Sequence, residues 1–202
     1  MSGVPILVEA TALRVLVVGG GVVAARKART FAEAGAVILV VALEVGREMR
    51  ALSEEFDVSL HERRYGAKDI ENVSLVIAAT DDPDVNDTVA RDARRGKRLV
   101  NVADAPEVGD FASMAVHRSG ALTVGVNSGG VPAASTCVRD AIADRFDGRY
   151  ADALAVLGAL RRALIEAGKR GDWLALSSEI LGGQFCTTVE AGVLSERIAA
   201  WR

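Results

Sequence analysis

An α/β fold built on a doubly wound parallel sheet is predicted by three features of this 202-residue chain. Short β-branched runs alternate with helical periodicities. The first run stops abruptly at Gly19, Gly20 and Gly21. Hydrophobic residues make up 50% of the chain and charged residues 25%, the balance of a soluble globular protein, which excludes a disordered chain or a coiled-coil or collagen-like filament. At roughly 100 to 200 residues per domain, the length allows one or two domains.

Leu13 to Val18 reads LRVLVV, the apolar run of a strand buried on both faces. In the segment AARKARTFAEAG, Ala24, Ala25, Ala28, Phe31 and Ala32 share one helical face, and Gly35 is the stop. Val37 to Ala42 is a second buried strand, and Val45, Met49, Leu52 and Phe56 keep the spacing of an amphipathic helix. A short strand follows near Val58 to Leu60, and a stronger one at Leu75 to Ala79. A helix over Asp84 to Arg95 ends at Gly96, and Leu99 to Ala103 is the next strand. Strands and helices alternating at this spacing imply right-handed crossovers and a parallel sheet covered on both faces, so residues 1–112 are expected to form a Rossmann-like domain.

The alternation then ends. Ala121 to Val126 reads as one strand and Ala133 to Phe146 as one helix, a unit too short to bury its own faces, within residues 113–148. Residues 149–202 are purely helical in period. Leu154, Leu157, Leu160 and Leu164 mark one helix, Trp173, Leu176 and Ile180 a second, and Leu194, Ile198 and Trp201 a third. Thr187 and Glu190 have the spacing of a capping box for the last of them.

Lysine and arginine number 24 against 27 aspartates and glutamates, a net charge of -3, so no global basic field exists to hold nucleic acid. Cys137 and Cys186 lack any CxxC spacing, which argues against a disulfide framework or a zinc site and for reduced thiols. The opening residues have no basic n-region, and Glu9 and Arg14 interrupt their apolar runs. No stretch of about 18 apolar residues occurs. A cytoplasmic protein without membrane segments is the expectation.

Gly19, Gly21 and Ala24 satisfy G-x-G-x-x-G/A between a strand and a helix, the context in which the motif means dinucleotide binding. Glycine permits the tight turn and lets the backbone approach a pyrophosphate, whose charge meets the helix N-terminus. A ribose-binding acid belongs about 20 residues beyond, at the end of the second strand. Glu44 is the only acidic candidate there, and no basic residue directly follows the strand to favour a 2′-phosphate, so NAD is preferred over NADP. Glu44 also has the place of a charge favouring the next helix dipole. Thr80, Asp81 and Asp82 follow the fourth strand, while Asn101 and Asp104 bracket the end of the fifth. Carboxyl ends of strands line the ligand crevice in such a sheet, so these groups are expected to converge with the glycine loop. Asp104, if partly buried, suits a proton acceptor, and Asp81 and Asp82 before Pro83 suit turn and N-cap roles.

Four blocks in order, PILVEATALRVLVVGGGVVAARKA, VIAATDDPDVN, VNVADAPEVGDF and LTVGVNSGG, resemble the NAD-dependent precorrin-2 dehydrogenase family, which includes the N-terminal module of siroheme synthase. The resemblance spans residues 4–145. It implies oxidation of precorrin-2 to sirohydrochlorin with NAD on the path to siroheme. Some members also insert ferrous iron. It implies a homodimer, with residues 113–148 as the dimerisation region and residues 149–202 as a C-terminal helical region. By the same likeness, NAD contacts Gly19, Gly20, Gly21, Val22 and Val23 and the segment Leu43 and Glu44, while Thr80 and Asp81 join the cofactor site by their place after the fourth strand. Asp104 corresponds to the acid/base candidate, and Ser128 to a serine of the substrate pocket; Asn101, three positions before Asp104, is a further substrate candidate. Met114 stands where the family has proline, and Gly129 to Ala133 depart from its GGxSP run.

The tetrapyrrole substrate is a polycarboxylate, which a chain of net charge -3 repels unless cations gather locally. Arg118, Arg139 and Arg145, with His117, are the candidates, although each equally suits a solvated surface. No His and Cys constellation for a stable metal site is visible. A nucleotide-sensing regulatory domain, binding NAD without turnover, is the alternative from another functional class. A generic small dehydrogenase is disfavoured, because neither Tyr65 nor Tyr150 begins a Tyr-x-x-x-Lys pair.

Overall fold

Arg14–Val18 forms β1, the central strand of a five-stranded parallel sheet. The computed structural model describes residues 3–201 and divides into two units, Met1–Ser113 and Met114–Arg202. In the first, α1 (Val22–Ala32), β2 (Val37–Ala42), α2 (Arg47–Glu55), β3 (Val58–Glu62), β4 (Leu75–Ala78), α3 (Pro83–Arg95) and β5 (Leu99–Val102) follow β1. The strand order is β3-β2-β1-β4-β5, so the chain reverses direction across the sheet between β1 and β4. That reversal opens a crevice at the carboxyl ends of these two strands.

Alternation along β1 divides the core into two layers. Val15 and Val17 pack with Ile38, Val40 and Ile77 under the alanines of α1 and under Met49 and Leu52 of α2. Leu16 and Val18 face the other way, onto Val76, Val100 and Val102 beneath Val89, Ala90 and Ala93 of α3. Each such fully buried valine or leucine contributes about 1.5–3 kcal/mol. Small residues on α1 let that helix lie close to the sheet. At the start of α3, Asp82 Oδ1 accepts from the amides of Asp84 (2.9 Å) and Val85 (3.3 Å), and Pro83 occupies the first helical position.

The second unit holds a feature absent from the sequence expectation. Ala115–Ser119 is a strand, β6, which pairs antiparallel with β7 (Leu122–Val126) through a turn at Gly120, φ +58°. Its sequence, AVHRS, has no continuous apolar run to announce it. Met114 packs over Gly125, where a Cβ would lie 2.8 Å from the methionine Cε. Helix α4 (Pro132–Arg145) covers the hairpin, yet only Ser135 of its residues is buried.

Beyond it, α5 (Gly148–Glu166), α6 (Arg170–Ile180), α7 (Phe185–Glu190) and α8 (Leu194–Arg197) replace the three expected helices. Their core joins Tyr150, Leu157, Leu160 and Leu164 to Leu176, Ile180, Leu194 and Ile198. The expected capping box is corrected: Thr187 lies inside α7, and the Glu190 carboxylate is taken by Arg145 Nε at 2.8 Å and Tyr150 Oη at 2.9 Å. Among the described residues no helix is long and apolar enough to cross a membrane.

Candidate functional site

The three glycines after β1 have different physical reasons. Gly19 has φ +125°, and a Cβ there would stand 2.2 Å from the carbonyl oxygen of Ala79 at the exit of β4. At Gly20 a Cβ would meet the Glu44 carbonyl oxygen at 2.1 Å, and the Gly46 amide donates to the Gly20 carbonyl at 2.9 Å. The bend is thus wedged between the exits of β4 and β2. Gly21 caps α1, and a Cβ on it would meet nothing within 4 Å. The first amides of a helix have no intrahelical acceptor, and the N-cap Gly21 has no side chain to cap them. An anionic phosphate group fits this open, positively polarised end. Exposed Val22 and Val23 on α1, with Leu43 and Glu44 after β2, line the same loop end of the sheet.

The exit of β4 is organised by a residue the sequence reading passed over. Asn86 of α3 is 1% exposed. Its Oδ1 accepts from the Thr80 amide (3.1 Å) and hydroxyl (2.8 Å), and its Nδ2 donates to the Thr80 carbonyl (3.1 Å). The same Nδ2 donates to Asp104 Oδ1 at 3.1 Å. Thr80 and Asp104, on the loops after β4 and β5, are therefore brought together through Asn86, with Asp104 exposed instead of partly buried. Asp81 is exposed, and Asp82 is the N-cap of α3.

Residues 6–115 match the NAD_binding_7 family of NAD(P)-binding domains, more than half of the chain. The chain belongs to this family. It is 38% identical to a siroheme synthase of Pseudomonas putida (strain W619) over 180 residues, 86% of this chain and 39% of that protein. A siroheme synthase of Ectopseudomonas mendocina (strain ymp) is 33% identical over 213 residues, 98% of this chain and 45% of its own length. The chain thus spans well under half the length of these curated relatives. A solved structure titled "SirC, precorrin-2 dehydrogenase" superposes with a TM-score of 0.78 at 23% identity, covering 98% of both chains, which establishes a shared fold.

Among the other candidates, Asn101 is 5% exposed and bonded through both amide ends, accepting from Lys27 Nζ at 2.7 Å and donating to the Phe111 carbonyl at 2.8 Å. Burial first, then the neighbouring Arg26 charge, lowers the Lys27 pKa. Within the second unit, Ser128 Oγ lies 2.7 Å from Ser135 Oγ and donates to the Val131 carbonyl at 2.5 Å. His117 is half-buried, with Nε2 2.7 Å from the Phe146 carbonyl, and is not the exposed ring its polar neighbours suggested. Arg139 is ion-paired with Asp140 at 2.6 Å and Arg145 with Glu190 at 2.8 Å, whereas exposed Arg118 reaches only the Thr123 hydroxyl at 3.4 Å. Among the described residues no group of three or more His, Cys, Asp and Glu side chains is placed to hold a metal ion.

Sequence reasoning missed Asn86 at the exit of β4 and Lys27, which ties the middle of α1 to β5. Asn86 follows Pro83 by three positions inside a helix, a place that signals nothing by itself. Only its burial and its bonds to the two loops reveal a role.

Proposed function

We propose that this chain is an NAD-dependent precorrin-2 dehydrogenase, oxidising precorrin-2 to sirohydrochlorin in siroheme synthesis. The observation that carries the reading is Asp104, a carboxylate anchored at one oxygen by Asn86 on the loop after β5, two strands along the sheet from the glycine bend of β1. The names of the siroheme synthases and of SirC support the same substrate. The bound nicotinamide supplies the hydride acceptor. Gly21 and the first turn of α1 hold its phosphates, and Val22, Val23 and Leu43 give the nucleotide apolar surface. Exposed Glu44 takes the ribose hydroxyls, which favours NAD over NADP. Thr80 and Asp81 border the reactive end. Asp104 accepts the proton that leaves precorrin-2 as its hydride departs, through the oxygen that Asn86 does not occupy.

Within the second unit, Arg118 and Arg139 attract the polycarboxylate substrate, with His117 and Ser128 beside them in the same unit. Residues 113–148 serve dimerisation: Val131 at the N-cap of α4 and Val138 within it are exposed, an apolar surface that a second copy covers. Residues 149–202 form the helical region. Both cysteines are free thiols, in keeping with the cytoplasm.

Enzymatically prepared precorrin-2 and NAD given to the purified chain yield NADH and sirohydrochlorin, and Asp104→Ala loses turnover while still binding NAD. Parental turnover in Asp104→Ala removes that residue from the reaction. NAD binding with no turnover in the parent replaces the enzyme with a nucleotide sensor. Ferrous iron added to the product mixture, against a no-enzyme control, tests iron insertion by the appearance of siroheme.

A further inference from the structure

All the hydrogen-bonding capacity of the Asn86 amide is spent on two residues, Thr80 and Asp104. Its orientation follows from chemistry. The Thr80 amide only donates, so Oδ1 must face it; the Thr80 carbonyl only accepts, so Nδ2 must face it. The remaining Nδ2 hydrogen is thereby aimed at Asp104 and cannot be exchanged for an acceptor by turning the amide over. The backbone of Asn86 is fixed too, its amide donating to the Asp82 carbonyl at 3.1 Å in the first turn of α3. Thr80 closes the arrangement: its hydroxyl donates to Asn86 Oδ1 at 2.8 Å, and the same oxygen accepts from the Asp82 amide at 3.2 Å.

We propose that Asn86 is a positioning residue of the dehydrogenation, locking the loop after β4 and the Asp104 carboxylate into one unit so that Asp104 Oδ2 is presented for the proton while Oδ1 is held. The inference rests on Asp104 being the base. An exposed aspartate has free rotamers, and a proton acceptor is effective only when held in reach of the proton it takes. A buried amide with a forced orientation supplies that restraint without adding a charge.

The test pairs two variants of the full chain under the dehydrogenation assay. Asn86→Asp sets a second carboxylate against the first, and like charges in hydrogen-bond contact retain a shared proton to higher pH. The acid limb of its kcat/KM profile moves up by about one pH unit or more. Asn86→Ser cannot span to Asp104, and its kcat falls about tenfold with KM for both substrates little changed. Should Asn86→Asp fail to fold, as read by thermal melting, Asn86→Ser carries the test. A profile of Asn86→Asp superimposable on the parent, or a loss in Asn86→Ser confined to KM, overturns the proposal. Parental turnover in Asp104→Ala instead overturns the reading beneath it, and the two failures are told apart in one set of assays.

Discussion

Lys27 Nζ donates to Asn101 Oδ1 across 2.7 Å, joining the middle of α1 to the edge strand β5. Asn101 passes the restraint on by donating to the Phe111 carbonyl, so one half-buried lysine ties a helix, a strand and the segment after it. Burial lowers the Lys27 pKa, with the Arg26 charge adding to it. A lysine that holds its proton less tightly when folded leaves the unfolded chain binding more protons between the lowered value and the unfolded ~10.4, so stability from this group rises with pH through that window. The melting temperature of the parent relative to Lys27→Met therefore climbs as pH is raised from about 7 towards ~10.4. A difference that stays flat or falls contradicts the assignment. At neutral pH, Lys27→Met also strands the Asn101 acceptor, a cost of about 1–3 kcal/mol.

The glycine bend separates a folding requirement from a binding requirement, and substitutions resolve the two. Alanine at Gly19 collides with the Ala79 carbonyl and takes φ +125°; at Gly20 it collides with the Glu44 carbonyl. Backbone atoms on both sides give little, so each variant loses about 2 kcal/mol or more by denaturant unfolding. Gly21→Ala meets only open space and changes stability by no more than about 1 kcal/mol. On the proposed reading its methyl group stands where the phosphates approach, so NAD affinity falls about tenfold or more by titration. Equal NAD affinity in Gly21→Ala and parent places the nucleotide elsewhere.

The parallel sheet was readable in the sequence because β1, β2, β4 and β5 are largely buried, whereas only Val58 of the edge strand β3 is. Runs such as LRVLVV and VILVVA have no polar alternation to confuse them with surface strands, and glycine or aspartate punctuates each one. Strand β6 was not readable, since AVHRS is half-buried and its pairing depends on β7 across the turn. The Thr187 and Glu190 spacing suggested a cap, but long-range partners claimed the carboxylate: Arg145 and Tyr150 lie about 40 residues away in sequence and outbid a local bond. Asp104 was found because it ends a strand, whereas Asn86 was not, because a buried helical asparagine becomes meaningful only when two loops meet it.

Glu44 leaves β2 with its side chain exposed, and its backbone carbonyl rests against Gly20. On the proposed reading, a carboxylate so placed accepts from ribose hydroxyls and repels a 2′-phosphate. Glu44→Arg is expected to reverse the order, NADP binding tightening and NAD weakening by about tenfold each. Parallel titrations with both nucleotides read this directly. An unchanged ratio shows that another residue discriminates between them.

Glu190 is the junction of the second unit, joined by Arg145 from α4 and Tyr150 from α5. The Arg145 guanidinium first, then the Tyr150 hydroxyl, holds its carboxyl below the usual glutamate range, while burial above all pushes the Tyr150 phenol up. A carboxylate with a depressed folded pKa stabilises the fold above the unfolded value of ~4.3 and loses that contribution as pH falls through the folded value. Glu190→Gln keeps an oxygen for Tyr150 but not the charge for Arg145. The stability difference between parent and Glu190→Gln is thus constant near neutral pH and shrinks on acidification below ~4.3, as followed by denaturant unfolding across that range. A difference independent of pH assigns the junction to the neutral Tyr150 bond alone, and Tyr150→Phe then accounts for the whole loss.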